Sequence, residues 1–115
     1  MSRREALRLR DIREAIARIR GHIATGTFDR KTSDAVLYNL VVIGEAAAQI
    51  SDETRKAAPE IPWTKIVGLR NLIAHEYFRI DLEVIQEIVT RQLDQLDETA
   101  ERLVDEEEQS SEGTS

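Results

Sequence analysis

Apolar residues recur at helical spacing along almost the whole chain, and this restricts its fold more than any other feature. Leu9, Ile12, Ile16, Ile19 and Ile23 follow one another at three and four residues, the stripe of an amphipathic helix. That helix should end near Gly21–Thr27, where glycines and threonines gather. A second helix is predicted to start after Thr32 or Ser33, with Asp34 near its positive end. Its stripe runs Val36, Leu37, Leu40, Val41, Gly44, Ala47, Ile50, and small residues at Gly44 and Ala46–Ala48 would let another helix approach closely. Ser51–Lys56 reads as a cap and a short helical turn closed by Pro59. Pro62 suits the first position of a third helix, roughly Trp63–Glu76, because the N–H it lacks has no partner there anyway. Asp81 caps a fourth, carrying Leu82, Ile85, Val89, Leu93, Leu96, Ala100 and Leu103. No alternating run reads as a strand. The expected fold is all-α, an antiparallel up-down-up-down bundle of four main helices plus a short one.

A chain of 115 residues suits one domain with one core. We place it at residues 1–104, followed by an acidic tail at 105–115 whose small polar composition predicts disorder. With no cysteine, a disulfide scaffold, a thiol nucleophile and cysteine-ligated metal are excluded. No run approaches the roughly 18 apolar residues of a membrane helix. The basic start, Met-Ser-Arg-Arg-Glu, has no apolar stretch behind it to make a secretory signal. A cytoplasmic protein with no membrane partner is expected.

The net charge of −6 conceals a gradient. Residues 1–31 hold nine Lys/Arg against four Asp/Glu, whereas residues 80–115 hold two against twelve. Affinity for RNA phosphate comes mostly from Lys and Arg, so the acidic total argues against nucleic acid. The basic first helix, with Arg3, Arg4, Arg8, Arg10 and Arg13, leaves one RNA-facing surface open. RNA fits if that helix lines the site and fits badly if the acidic fourth helix does.

The chemistry-bearing residues concentrate in Gly68-Leu-Arg-Asn-Leu-Ile-Ala-His-Glu-Tyr-Phe78. Asn71 and His75 stack one turn apart on a helix, and Arg70, about 140° round from His75, can lean across. A guanidinium forks onto phosphate oxygens, and an imidazole with an unperturbed pKa of about 6.5 takes or gives a proton near neutrality. Together they suit metal-free RNA cleavage, His75 acting as general acid or base and Arg70 steadying the pentacoordinate phosphate. On spacing alone the plainer reading is favoured, since Arg-x4-His arises often by chance: Arg70 pairs with a carboxylate, Asn71 caps or bonds backbone, and His75 merely ends a helix. His22, at the glycine-flanked end of the first helix, reads as a capping or surface residue. Two distant histidines and no Glu-x-x-His pair make a metal site a poor fit, and neither metal nor cofactor is expected. Glu45 either pairs with Arg70 and orients it or faces solvent. Tyr77 has the reading of a helix-end aromatic packed with Phe78 and Trp63.

Arg70-Asn-Leu-Ile-Ala-His75 resembles the Arg-x(4–6)-His motif of the HEPN superfamily of ribonucleases. Asn39-Leu-Val-Val-Ile-Gly-Glu-Ala46, Pro62-Trp-Thr-Lys-Ile-Val-Gly-Leu-Arg70 and His75-Glu-Tyr77 are together similar to HepT-type toxins of MNT–HEPN toxin–antitoxin modules, over about residues 7–103. The resemblance implies a HEPN helical bundle acting as a homodimer with its two motifs facing a shared cleft. Arg70 and His75 would be the catalytic pair, with Asn71 as the polar residue that follows the arginine, in a metal-independent endoribonuclease cutting tRNA or mRNA. Tyr77 would be the acceptor for AMP transferred by a partner MNT-type nucleotidyltransferase antitoxin, placing negative phosphate beside the motif. The alternative is a HEPN module without cleavage activity that acts through that partner. A plain helical adaptor explains the stripes but not the clustered Arg70, Asn71, His75 and Tyr77.

Overall fold

A computed structural model describes the backbone of residues 1–113 and the side chains of residues 1–110. The described residues are helical with no strand, as the spacing predicts. Helix α1 (Arg3–Ile23) opens on a capping box in which Ser2 and Glu5 satisfy each other's backbone N–H groups. Helix α2 (Arg30–Ala48) begins earlier than predicted, because Asp29 takes the cap and accepts from the Thr32 N–H at 2.8 Å. The short α3 (Asp52–Ala57) is capped by Ser51, and α4 (Trp63–Glu76) starts directly after Pro62, which sits at the cap one position outside the helix. A 3-10 turn (Tyr77–Arg79) then leads into α5 (Leu82–Arg91), capped by Asp81, and α6 (Leu93–Gly113).

Where the apolar stripe predicts one fourth helix, two are found. Gln92, at φ −108° and ψ −22°, interrupts the ladder between them. The stripe crosses the break undisturbed, since Ile85 and Val89 of α5 and Leu93, Leu96, Ala100 and Leu103 of α6 all point inward. Helix α6 also continues through Asp105–Gly113, where composition predicts a disordered tail. Ion pairs from Arg10 to Glu108 and from the N-terminal amine to Glu107 hold part of this stretch against the start of α1. Of that predicted tail, Thr114 and Ser115 lie outside the described residues.

The core forms where α1 packs on both α2 and α6, and α4 lies on the other side of α2. Leu9, Ile12, Ile16 and Ile19 of α1 are fully buried against Val36, Leu40 and Ile43 of α2. Their burial removes several large aliphatic side chains from water, each contributing about 1.5–3 kcal/mol. Trp63 is buried, its indole N–H donating to the Ala58 carbonyl at 3.1 Å, which fixes the start of α4.

The charge gradient resolves into a seam. Arg13 and Arg20 of α1 both reach Asp97 of α6, at 3.0 and 2.9 Å, and extend to Glu101 and Asp94. The basic first helix and the acidic last one therefore neutralise each other along much of their contact. Arg4 and Arg8 turn to the opposite side of α1, toward α2. No helix among the described residues is long and apolar enough to cross a membrane.

Candidate functional site

The site is built where α4 crosses α2. Gly44 lets the helices meet, with the Arg70 side chain and the Ile66 carbonyl lying against its backbone. Small residues beside Gly44 are thus explained, and Arg70 is held rather than waving in solvent. Its Nη1 lies 3.3 Å from Glu45 Oε1 and its Nε donates to Asn71 Oδ1 at 3.0 Å. Glu45 does both things the sequence left open, pairing with Arg70 while remaining 62% exposed in its side chain. Arg70 itself is only 21% exposed, so its orientation is set by packing as well as charge.

His75 lies on the same helix, about 7.5 Å further along the axis at 1.5 Å per residue. It is exposed and makes no hydrogen bond or ion pair among the described residues. Arg70, Asn71 and Glu45 thus form one bonded cluster, with His75 one turn on and open. His22 is exposed in the last turn of α1, where its carbonyl accepts from Thr25, and takes no part.

Tyr77 falls just past α4, on the 3-10 turn. Its ring meets Phe78 edge-on at 5.4 Å, but Trp63 is occupied elsewhere. Its hydroxyl donates to Asp34 Oδ1 at the opposite end of α2 from Gly44. That hydrogen bond, with partial burial and the Asp34 charge, pushes the phenol above its usual pKa, and Arg30 nearby opposes the shift. Sequence reasoning had Asp34 only as a helix-terminal charge. The 43 residues separating it from Tyr77 hide the contact, and only the antiparallel lie of α2 and α4 brings the two together.

Two grooves of similar size flank the site. One, of about 650 Å³ between α4 and α5–α6, is largely apolar, lined by Leu40, Ile61, Leu69, Leu72 and Leu96. The other, of about 660 Å³ between α1 and α2, carries Arg4, Arg8, Asp11, Tyr38 and Glu45. Among the described residues no three His, Asp or Glu side chains gather as a metal site.

An all-helical bundle of this build, with an Arg-x4-His element on the helix that crosses a Gly-Glu-Ala helix, is compatible with the HEPN class. The family model described as ribonuclease HepT-like matches residues 10–103, and the chain belongs to that family. It is similar to a protein of Thermococcus cleftensis named "Probable ribonuclease HepT", 34% identical over 100 residues that cover 83% of this chain and 91% of the other. A Methanocaldococcus jannaschii protein named "Putative RNase MJ1380" is 44% identical over 55 residues, 48% of this chain and 50% of its own. A protein of Caldanaerobacter subterraneus named "Putative RNase TTE0752" is 29% identical over 73 residues, 64% of this chain and 65% of its own. No solved structure matches the chain.

Proposed function

We propose that this HepT-like ribonuclease is a metal-independent endoribonuclease in which Arg70 and His75 act on one RNA phosphodiester. The observation that carries the reading is the bonded Arg70–Asn71–Glu45 cluster with an unencumbered His75 one turn along. In this reading the ribose 2′-oxygen attacks phosphorus as its proton is taken, and the 5′-oxygen leaves as it receives one. A cyclic phosphate and a free 5′-hydroxyl result. His75 serves one of these proton transfers, and Arg70 offsets the charge that builds on the phosphate oxygens. Asn71 holds the guanidinium for that task. Homodimerisation, also proposed, would bring two such motifs to a shared cleft.

The chain acts as the toxin of a toxin–antitoxin module in the cytoplasm, with tRNA or mRNA as its substrate. A partner nucleotidyltransferase silences it by placing AMP on Tyr77. In support, the 3-10 turn sets Tyr77 two residues beyond His75 with its hydroxyl at the surface. A phosphodiester there would add negative charge beside the RNA site.

Purified protein is incubated with total tRNA in excess EDTA beside a His75→Ala variant, after its intact mass is checked for added AMP. Cleavage by the unmodified wild type and a loss of about 10²–10⁴-fold in the variant are expected. Equal cleavage by both would remove His75 from the reaction, and cleavage only without EDTA would end the metal-independent reading.

A further inference from the structure

Helical geometry turns five of the arginines of α1 to two different faces, while Arg18 donates to Asn39 of α2. Arg10, Arg13 and Arg20 face the carboxylates of α6. Arg4 and Arg8, one turn apart on another face, line the groove shared with α2. On the α2 side stand Tyr38, Val41, Val42, Glu45 and Gln49. Tyr38 is 67% exposed, an unusual setting for one of only two tyrosines in the chain. Glu45, whose carboxylate pairs with Arg70, is part of this lining. The groove and the Arg70–Asn71 cluster therefore share Glu45 as a common wall.

Its charge is legible in detail. The two carboxylates facing it are both paired, Asp11 with Arg8 at 2.9 Å and Glu45 with Arg70 at 3.3 Å. The charges of the lining itself balance, Arg4 and Arg8 against Asp11 and Glu45, but Arg4 makes no ion pair among the described residues, so the groove offers one unpaired guanidinium. Tyr38 and Glu45 are seven residues apart on α2, about 10.5 Å along the axis at 1.5 Å per residue. An aromatic ring at that distance from the Arg70 cluster, with arginines along the facing wall, is the arrangement that holds an unpaired strand: phosphates on the cations and a base on the ring. The apolar groove between α4 and α5–α6 has one cation, Lys65, with Glu60 in the same lining and no aromatic ring for a base.

The geometry points to the α1–α2 groove as a binding track for single-stranded RNA, with Arg4 and Arg8 on its phosphates and the Tyr38 ring stacked on a base close to the bond that is cut. This rests on the ribonuclease reading but adds a site outside the Arg-x4-His element. It makes the preferred substrate an unpaired segment, such as a loop, because a paired base cannot leave its stack to meet the ring.

The test is fluorescence-anisotropy binding of a labelled single-stranded 2′-O-methyl oligoribonucleotide, which lacks the free 2′-hydroxyl needed for cleavage. Tyr38→Ala should weaken binding by about 5- to 150-fold, the range of one base–aromatic stack, and Tyr38→Trp should retain it. Arg4→Gln with Arg8→Gln should lower the slope of log affinity against log salt by about 1.4, two phosphates at about 0.7 each. Unchanged binding in the tyrosine and arginine variants, no binding by the wild type, or equal affinity for a duplex overturns the proposal. So does a Tyr38→Ala protein whose sedimentation shows a changed oligomeric state, which would assign Tyr38 to a contact between copies. Cleavage of tRNA by the wild type, measured alongside, separates failure of this track from failure of the nuclease reading.

Discussion

The side chain of Arg70 lies so close to the backbone of Gly44 that a β-carbon at position 44 would come within 2.4 Å of Arg70 Cβ. The clash involves the stiff root of the arginine, not its flexible end, so the helices themselves must shift. Gly44→Ala gains about 1 kcal/mol of helix propensity but suffers overpacking of about 1–3 kcal/mol. A folded, modestly destabilised protein with a displaced Arg70 is expected. Thermal melting and tRNA cleavage measured together would check this; unchanged cleavage would show that the Arg70 position set by Gly44 is not needed.

Glu45 tests orientation without packing. Its side chain is 62% exposed, and an ion pair in such a setting contributes at most about 1 kcal/mol. Glu45→Gln should therefore leave the melting temperature nearly unchanged while lowering kcat, because only Asn71 then steers the guanidinium. A rise in KM alone would instead place Glu45 in substrate binding.

Tyr77 and Asp34 make a titration prediction. The phenol is held above its usual value chiefly by its hydrogen bond to Asp34, then by burial and the carboxylate charge. For a group whose folded pKa is raised, the stabilising contribution is present below the unfolded value and lost as pH rises through the folded one. This contact should thus weaken only in strongly alkaline solution. In a Tyr38→Phe background, where Tyr77 is the remaining tyrosine, Asp34→Asn should move phenolate formation to lower pH. Ultraviolet absorbance reads this directly, and no movement would mean that the bond does not persist in solution.

How much of this was legible depended on whether the determining contacts were local. The stripes of α1 and α2 and the short α3 follow from local spacing and caps, and the structure keeps them, with α2 starting at its Asp29 cap. The break at Gln92 carries no glycine or proline, and the apolar stripe runs through it, so periodicity had nothing to register. Arg70, Asn71, His75 and Tyr77 stand within eight residues and could be found as a cluster. Asp34 and Tyr38 could not, because their meaning depends on which helices α2 adjoins. The basic start and acidic end were visible as charge, but not as partners of each other.

That partnership is testable at Asp97. Its side chain is 18% exposed and receives both Arg13 and Arg20, whereas Glu101 is 53% exposed and meets Arg13 alone at 3.5 Å. Asp97→Asn should cost about 1.5–3 kcal/mol, the range for hydrogen bonds to charged groups, and Glu101→Gln at most about 1 kcal/mol. Urea denaturation of both variants gives the comparison. Equal, negligible losses would show the seam to be a solvated surface rather than a structural tie.

Glu5 ties the two ends of the α1–α2 hairpin through a buried carboxylate. It caps Ser2 at the start of α1 and accepts from the Ser51 N–H and the Thr54 hydroxyl at the start of α3. Burial pushes its pKa up, but the hydrogen bonds from Ser51, Ser2 and Thr54 outweigh it and hold the group below the ordinary value of 4.5. The sign follows: the stabilisation is complete above the unfolded value and is lost as pH falls through the lower folded one. Glu5→Gln should destabilise the protein by about 1.5–3 kcal/mol at neutral pH. The gap to wild type should close as pH drops below 4.5 and the native carboxylate is protonated. Urea midpoints across that range read the convergence, and a gap independent of pH would mean that Glu5 acts through its shape rather than its charge.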